Sequence, residues 1–270
     1  MPKITGSHER LRRLEENIHS LAPVMVSYSG GMDSSFLLWV CSRILPPEYL
    51  AAVSFYSSTV PAMEIRDAQS IAAFLNVRHS VYPGPEMQNE KFLINDLLRC
   101  YYCKRERLNF LLSLSSKFPG FRIIEGSVTD DLEDDRPGMR ALKEAGIASP
   151  LLEAGISKAD IIIIAGENRL VFAGKKSESC LATRIKNGQR IEIAVLEQIQ
   201  AAEQALHVLG FEFVRVRCNG GEARLELAPE DMERAFNLRN EITRCLQQCG
   251  FIRVALDLEG YKNGKREGNK

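Results

Sequence analysis

The sequence predicts an α/β protein in which helices cover both faces of a parallel sheet and a smaller α+β domain follows. Short apolar segments alternate with amphipathic ones up to about residue 184, and polar or glycine-containing turns follow several of the apolar segments. Such alternation is typical of parallel strands joined by crossover helices. Beyond that point the pattern changes to helix, hairpin, helix and strand. We therefore predict two domains, residues 1–184 and residues 185–270.

The first domain begins with a predicted surface helix over residues 7–21, where apolar side chains recur at helical spacing between charges. Apolar runs predict strands over residues 23–28, 50–55, 77–82 and 121–126. Helical periodicity predicts helices after residue 36, over about 64–75, over 92–98, beyond residue 104 and over part of 138–149. Residues 150–158 are predicted to be a loop, in which Ser157 caps a helix that starts at Lys158.

The second domain is predicted to contain two helices and a small sheet. The helices are expected over residues 191–210 and 229–248. Two alternating segments, residues 213–218 and 223–227, flank Gly220-Gly221 and predict a hairpin. A last strand is expected over residues 251–258.

The composition is that of an ordinary globular protein of 270 residues, 45% of them apolar. Its 35 basic and 35 acidic residues cancel, which argues against a nucleic-acid partner. No apolar stretch approaches the roughly 20 residues that span a bilayer, and the first segment does not resemble a signal peptide. We therefore expect a cytoplasmic protein with no membrane partner. Its seven cysteines should be free, metal-binding or catalytic rather than disulfide-bonded.

The segment Ser29-Gly30-Gly31-Met32-Asp33-Ser34-Ser35, here called the glycine–serine loop, joins the first predicted strand to a helix. Glycines let the backbone bend closely around a ligand and present N–H groups to it. The start of the helix adds unpaired N–H groups and partial positive charge. Serine hydroxyls are further donors, and a carboxylate suits magnesium. The loop therefore predicts a site for a triphosphate or pyrophosphate with its metal.

The loop differs from the two common glycine-rich nucleotide motifs. It lacks the lysine of a Walker motif, and it is not a G-x-G-x-x-G fingerprint. By itself it could also be an ordinary turn between a strand and a helix. It resembles the PP-loop, S-G-G-x-D-S, of enzymes that split ATP into AMP and pyrophosphate. This resemblance implies an adenine nucleotide alpha hydrolase-like fold.

Three cysteines are candidates for chemistry. Cys100 and Cys103 form a C-x-x-C pair, and Cys180 follows much later in the chain. One such pair is compatible with zinc, with redox chemistry or with simple packing. Four thiolates would indicate a structural zinc site, whereas three with one open position would suit an iron–sulfur cluster. The residues alone leave these alternatives open.

Two arginines form a further candidate site. Arg215 and Arg217 are two residues apart in a predicted strand and should therefore share one face. Together they would suit a phosphate or carboxylate ligand. A solvated basic face of the sheet is the alternative.

Several blocks of sequence occur in order between about residues 10 and 261. They are the glycine–serine loop, residues 100–104, 125–131, 136–138, 149–155, 180–185, 214–217 and 258–261. Together these blocks resemble the LarE-type ATP-dependent sulfurtransferases, which act in assembly of the nickel-pincer nucleotide cofactor. The resemblance implies that ATP adenylates a carboxylate of pyridinium-3,5-biscarboxylic acid mononucleotide, with release of pyrophosphate. The activated carboxylate would then become a thiocarboxylate.

The resemblance also implies roles for residues of the ATP site. The phosphates and Mg²⁺ would be held by five residues of the loop: Ser29, Gly30, Gly31, Asp33 and Ser34. Ser57 and Gly126 would lie near the adenosine. Glu203 matches an acidic position near the metal, so Asp33 and Glu203 are the predicted magnesium ligands.

Sulfur delivery would centre on Cys180. In members of the family with one cysteine, this residue gives up its own sulfur and becomes dehydroalanine. In members with three, a 4Fe-4S cluster can carry an extra sulfide. Because this chain has Cys100, Cys103 and Cys180, we favour the cluster form. The substrate phosphate would be gripped by Arg215 and Arg217, with Arg184 as a further ligand.

Two segments depart from the pattern of the family. Lys186-Asn187-Gly188 stands where many relatives have Pro-Tyr-Gly, and residues 218–221 replace a His-His-Gly-Asp segment. The substrate pocket is therefore expected to differ. Three other functions share parts of the pattern: a PP-loop tRNA thiolase, an ammonia-using ligase of the NAD- or GMP-synthetase kind, and a nucleotide-binding sensor without turnover. We expect a small-molecule nucleotide substrate and a homo-oligomer.

Overall fold

The computed structural model describes residues 2–132, 137–175 and 179–261. The chain divides into two compact units. The first unit contains residues 1–89 and 98–178, and the second contains residues 90–97 and 179–270. Residues 179–184, which the sequence analysis assigned to the first domain, therefore belong to the second unit. The short segment 90–97 also belongs to the second unit.

The secondary structure follows the order of strands and helices predicted from the sequence. The helices are α1 Pro2–Leu21, α2 Met32–Ile44, α3 Ala62–Phe74, α4 Glu90–Leu93, α5 Arg99–Ser113, α6 Pro137–Ala145, α7 Pro150–Glu153, α8 Lys158–Glu167, α9 Ile193–Val208, α10 Met232–Asn237 and α11 Arg239–Gln248. The strands are β1 Val24–Ser27, β2 Leu50–Tyr56, β3 Arg78–Pro83, β4 Arg122–Ile124, β5 Val214–Asn219, β6 Glu222–Leu227 and β7 Arg253–Leu256.

The first unit is built on a parallel sheet in the order β3-β2-β1-β4. Val24 of β1 is paired with Leu50 on one side and Arg122 on the other. Because successive strand residues point to opposite faces, the sheet contributes to two apolar layers. Val24 and Val26 pack in one cluster, which also contains side chains of α1, α2 and α8. Met25 packs in the other, with Leu108 of α5 and further side chains of α6.

The strand order places a ligand-binding edge next to β1. From β1 the chain adds β2 and β3 on one side of the sheet, and β4 then pairs with the opposite side of β1. Open parallel sheets bind ligands at the carboxyl ends of their strands, where the strand order reverses in this way. The glycine–serine loop follows β1 directly, so it lies at this position.

The second unit packs α9 against a small sheet in the order β5-β6-β7. The predicted hairpin is confirmed, since β5 and β6 are antiparallel, and β7 runs parallel to β6. The segment 90–97 is held in this unit by the side-chain amide of Asn95. Asn95 Nδ2 donates to the carbonyl oxygens of Lys186 and Gln189, at 3.0 and 2.9 Å.

Some elements differ from the predicted ones. The C-x-x-C pair was placed between two helices, but both cysteines lie in the first turns of α5. The loop predicted over residues 150–158 begins with the short helix α7. The helix predicted over residues 229–248 is divided at Leu238, whose backbone leaves helical geometry at φ −92° and ψ 13°. Ser157 caps α8 as predicted, with a reciprocal hydrogen bond to Asp160.

No helix in the part of the chain that the structure describes is long and apolar enough to cross a membrane.

Candidate functional site

The glycine–serine loop turns sharply between β1 and α2. Gly30 has φ 81°, in the left-handed region that glycine tolerates best. A Cβ at Gly30 would lie 2.7 Å from the Cβ of Ala68 on α3 and 3.1 Å from the Glu64 carbonyl oxygen. Only glycine therefore fits where the loop touches α3. Gly31 then caps α2 without a side-chain hydrogen bond. The N–H groups and partial positive charge at the start of a helix suit an anion.

Side chains of the loop complete a set of donors at the same place. The hydroxyls of Ser29 and Ser34 are 2.9 Å apart, and the Gly31 N–H donates to Ser29 Oγ at 3.3 Å. Asp33 lies in the first turn of α2. Burial raises the pKa of Tyr28 to about 12, so its phenol stays neutral beside the loop. The loop thus offers hydroxyl and amide donors with one carboxylate of the kind that binds magnesium.

The ends of β2 and β4 bring two further predicted residues to this edge. Gly126 follows β4, and a Cβ there would lie 3.0 Å from Ser34 Cα and 3.1 Å from the Ser34 nitrogen. The missing side chain therefore lets the segment after β4 pack on the start of α2. Ser57 follows β2. The first unit thus has the loop, Ser57 and Gly126 at the carboxyl ends of three adjacent strands.

A buried carboxylate fixes the segment that contains Ser57. Glu86 is fully buried and accepts hydrogen bonds from Ser57 Oγ at 2.8 Å and from Arg107 Nη2 at 2.6 Å. Its second oxygen accepts from Arg107 Nε at 3.0 Å. Burial alone would raise the pKa of Glu86, but the hydrogen bonds and charge of Arg107, with the Ser57 hydroxyl, hold it below its usual value. Glu86 is therefore an anion that orients Ser57.

A second buried carboxylate lies beside the C-x-x-C pair. Glu125, at the end of β4, pairs with Lys104 Nζ at 3.3 Å, and Lys104 is the neighbour of Cys103 in α5. Ser127 and Ser149 donate hydroxyl hydrogen bonds to Glu125 at 2.9 and 2.6 Å. Burial would raise the pKa of Glu125, but Lys104 and these hydroxyls hold it below its usual value. The cysteine-bearing helix is thus tied by an ion pair to the ligand-binding edge of the sheet.

Cys100 and Cys103 are three residues apart on α5, so both face one side of the helix. Cys100 is exposed and Cys103 is half-buried. Cys180, also exposed, begins the tight turn Leu181–Arg184 in the second unit. Taking each unit by itself, its described residues include no group of three His, Cys, Asp or Glu side chains that could hold a metal ion.

Lys175 also contacts the glycine–serine loop. Its Nζ donates to the Gly30 carbonyl oxygen at 3.2 Å. The same ammonium pairs with Glu64 at 3.2 Å and with Asp67 at 2.9 Å, both on α3.

In the second unit, a buried ion pair fixes the turn that contains Cys180. Arg184 Nε and Nη2 donate to the two carboxylate oxygens of Glu203, at 2.8 and 3.2 Å. Only 3% of the Arg184 side chain and 6% of the Glu203 side chain are exposed. Glu203 Oε1 also accepts from the Val216 N–H at 2.9 Å, and Arg184 Nη1 donates to the Ser179 carbonyl. This arrangement gives Glu203 a positioning role, and magnesium binding by it stays a prediction.

Arg215 and Arg217 share one face of the β5–β6 hairpin, as the spacing predicts. Arg217 forms a two-pronged pair with Glu226, at 2.9 and 3.0 Å. Arg215 instead stacks on the ring of Tyr261 and donates to its hydroxyl at 2.9 Å. Burial lowers the pKa of Arg215, as do the nearby charges of Arg184 and Arg217. The site therefore has an excess of positive charge at Arg215, which favours an anionic ligand.

Comparison with known proteins places the chain in a family. No family model matches it. It is 34% identical to an uncharacterized protein of Synechocystis over 95% of this chain and 96% of that protein. It is 30% identical to an uncharacterized protein of Methanocaldococcus jannaschii over 89% of this chain and 91% of that protein. It is also 29% identical to the pyridinium-3,5-bisthiocarboxylic acid mononucleotide synthase of Lactiplantibacillus plantarum, over 92% of this chain and 90% of that enzyme. The chain belongs to the LarE family.

Within this LarE-family chain, sequence reasoning missed three supporting residues. Glu86 and Arg107, which hold Ser57, occur in segments without a recognisable motif. Lys175 lies shortly before Cys180 in the sequence, outside the glycine–serine loop. Its contact with Gly30 joins residues 145 positions apart. Sequence reasoning from local patterns has no signal for such a contact.

Proposed function

We propose that this protein is an ATP-dependent sulfurtransferase that converts a carboxylate of pyridinium-3,5-biscarboxylic acid mononucleotide into a thiocarboxylate. The observation that carries the proposal is the glycine–serine loop at the reversal point of the parallel sheet, in a chain of the LarE family. The named activity of the Lactiplantibacillus plantarum relative supports the choice of substrate.

In the first step, a carboxylate oxygen of the substrate attacks the α-phosphorus of ATP. The bond from that phosphorus to the bridging oxygen breaks, and pyrophosphate leaves with the electron pair. Amide N–H groups of Gly31 and the start of α2, with the hydroxyls of Ser29 and Ser34, would stabilise the charge on the departing group. Asp33 would hold Mg²⁺ against the phosphates, where the ion neutralises part of their charge. Ser57 and Gly126 would border the adenosine.

In the second step, a sulfur nucleophile attacks the activated carbonyl carbon, and AMP leaves with the electrons of the carbon–oxygen bond. Three thiols suit a 4Fe-4S cluster by their number and softness, and two of them already share one face of α5. Cys100, Cys103 and Cys180 would hold the cluster. When bound, the cluster would supply an iron position without a cysteine ligand, to which sulfide can be attached.

If Cys180 is instead the sulfur donor, its thiolate attacks the carbonyl carbon directly. Loss of the Cys180 α-proton and cleavage of its Cβ–S bond would then leave the sulfur on the substrate and dehydroalanine in the chain. The Arg184–Glu203 pair would keep the turn around Cys180 in place. Arg215, Arg217 and Arg184 would bind the substrate phosphate, with Arg215 contributing most because Glu203 and Glu226 neutralise the other two.

The first experiment is anaerobic purification followed by assay of iron, acid-labile sulfide, pyrophosphate release and thiocarboxylate formation. ATP and the biscarboxylic mononucleotide together should give AMP, pyrophosphate and the thiocarboxylate, and Cys180→Ala should abolish sulfur transfer. Cys245→Ala, in α11, is the matched cysteine control. Iron and sulfide near four per chain, lost in Cys100→Ala, would support the cluster route.

Iron-free protein whose Cys180 loses about 34 Da, the mass lost when a thiol becomes dehydroalanine, would support the sacrificial route. Thiolation of bulk tRNA without thiocarboxylate formation would overturn the proposed substrate. Normal sulfur transfer by Cys180→Ala would overturn the proposed mechanism. Size-exclusion chromatography with light scattering tests the expected homo-oligomer.

A further inference from the structure

The ammonium group of Lys175 contacts the glycine–serine loop. The glycine–serine loop contains no lysine or arginine of its own, whereas a Walker loop, a different phosphate-binding motif, carries a lysine that reaches the β- and γ-phosphates. Lys175 Nζ touches the loop itself through the Gly30 carbonyl oxygen, at 3.2 Å. The fold thus brings a cation to the loop from a distant part of the first unit.

Lys175 lies between two carboxylates of α3. One ammonium faces two carboxylates, Glu64 at 3.2 Å and Asp67 at 2.9 Å. Both carboxylates also act on Tyr28, next to the loop, where their charge contributes to the raised pKa of the phenol. A triphosphate that binds the loop would therefore meet these carboxylates on this side, and an ammonium that turns toward it would reduce the repulsion.

The two carboxylates differ in how easily they can release the ammonium. The Glu64 side chain is 11% exposed, and the Asp67 side chain is 41% exposed. Water can solvate Asp67 when it loses its partner, whereas a buried Glu64 without a partner would be costly. Lysine carries three rotatable donors on a flexible stem. It can therefore keep Glu64 and exchange Asp67 for another anion.

We propose that Lys175 binds the β- and γ-phosphates of ATP, exchanging its contact with Asp67 for phosphate oxygens while it keeps Glu64. This inference rests on the proposed function, since it assigns the ATP site one more ligand. Lys175 then stabilises the negative charge that pyrophosphate carries as it leaves. AMP has no β- or γ-phosphate, so Lys175 favours ATP over AMP and does not retain AMP after sulfur transfer.

The test measures binding of ATP, inorganic pyrophosphate and AMP by calorimetry, with magnesium present. Lys175→Ala should weaken ATP and pyrophosphate binding roughly 10- to 100-fold, as expected for loss of a charged hydrogen bond, and should change AMP binding less than about twofold. Lys175→Arg should restore most of the affinity because the charge is kept. Lys143→Ala, an exposed lysine of α6, is the control and should change nothing.

Asp67→Asn provides a second variant, which does not depend on the stability of Lys175→Ala. Removal of the competing carboxylate should tighten ATP binding by a few-fold and leave AMP binding unchanged. Equal losses of ATP and AMP affinity in Lys175→Ala, or unchanged ATP affinity in Asp67→Asn, would overturn the inference. If the wild-type protein bound no ATP at all, the proposed function itself would fail. If Lys175→Ala released pyrophosphate at the wild-type rate and kept the wild-type ratio of ATP to AMP affinity, only the role of Lys175 would be refuted.

Discussion

The Arg184–Glu203 pair gives the sharpest prediction about the second unit. Glu203→Gln keeps the volume of the side chain but removes its charge, so Arg184 is left buried without a counter-ion. Breaking a buried ion pair in this way typically costs about 3–5 kcal/mol. The exposure of only 3% and 6% of the two side chains places this pair among the buried ones. We expect Glu203→Gln to destabilise the second unit by about that amount.

Hydrogen–deuterium exchange of peptides that cover β5 measures this loss of stability within the second unit. Amides that exchange through unfolding of the unit should exchange more than roughly 100-fold faster, since each 1.4 kcal/mol corresponds to a factor of ten. Glu90→Gln is a matched control, because Glu90 makes the same two-pronged contact with Arg190 at 2.8 and 2.9 Å, but on an exposed surface. It should leave exchange nearly unchanged. Replacing both Arg184 and Glu203 by apolar residues should recover part of the stability.

The same variant separates a structural role of Glu203 from magnesium binding. If Glu203 instead binds magnesium, Glu203→Gln should lower the affinity for magnesium, and the variant should lose little stability in metal-free buffer. Wild-type protection of β5 in Glu203→Gln would refute the structural argument.

Three further predictions concern single sites. Gly30→Ala should lose ATP binding and more thermal stability than Gly146→Ala, since both have positive φ (81° and 63°) but only the former Cβ would meet a neighbour; equal melting temperatures would contradict this. The pKa of Glu86 lies below its usual 4.5, so its stabilising effect is present above that pH and is lost as the pH falls. The difference in the free energy of unfolding between wild type and Glu86→Gln, measured in urea, should therefore shrink below pH 4.5. A difference that does not change with pH would contradict this prediction. Arg215→Gln should raise the KM for the mononucleotide about tenfold with little change in kcat, as expected for a phosphate contact that is not specific to the transition state; an unchanged KM would remove Arg215 from the phosphate site.

Much of the fold was predictable because its signals are local. The apolar run before Ser29 and the alternating segments near Gly220-Gly221 each match a strand in the structure. The capping box at Ser157 is likewise encoded by two residues three apart. Such signals need only the spacing of side chains within one element.

The errors arose where the environment decides the structure. Nothing in the sequence around Cys100 and Cys103 marks the start of α5, whose first residue has no side-chain cap. Helical periodicity predicts a helix over residues 92–98 in the first domain. Asn95 instead donates its hydrogen bonds to carbonyl oxygens about 90 residues later in the chain, in the second unit. Partners so distant in the sequence cannot be inferred from local periodicity.

In the candidate site, too, the features encoded locally were predictable and the long-range contacts were not. The glycine–serine loop was predictable because donors and glycines lie next to one another in the sequence. The ion pair between Glu203 and Arg184 was not predictable, because the sequence around a glutamate in an amphipathic helix does not indicate its partner. Lys175 illustrates the same limit for a residue at the loop itself.

The assignment of residues 90–97 to the second unit has a consequence for synthesis of the protein. Ribosomes add about 5–20 residues per second, and the partners of Asn95 follow it by 90 or more positions. The segment therefore waits roughly 5–20 seconds before its hydrogen-bond acceptors exist. During this interval residues 98–178 of the first unit are synthesised, so the first unit is complete before segment 90–97 meets its acceptors. The second unit completes its structure only after β7 has been synthesised. A chaperone that binds this nascent chain should therefore contact residues 90–97 for longer than the strands on either side of them.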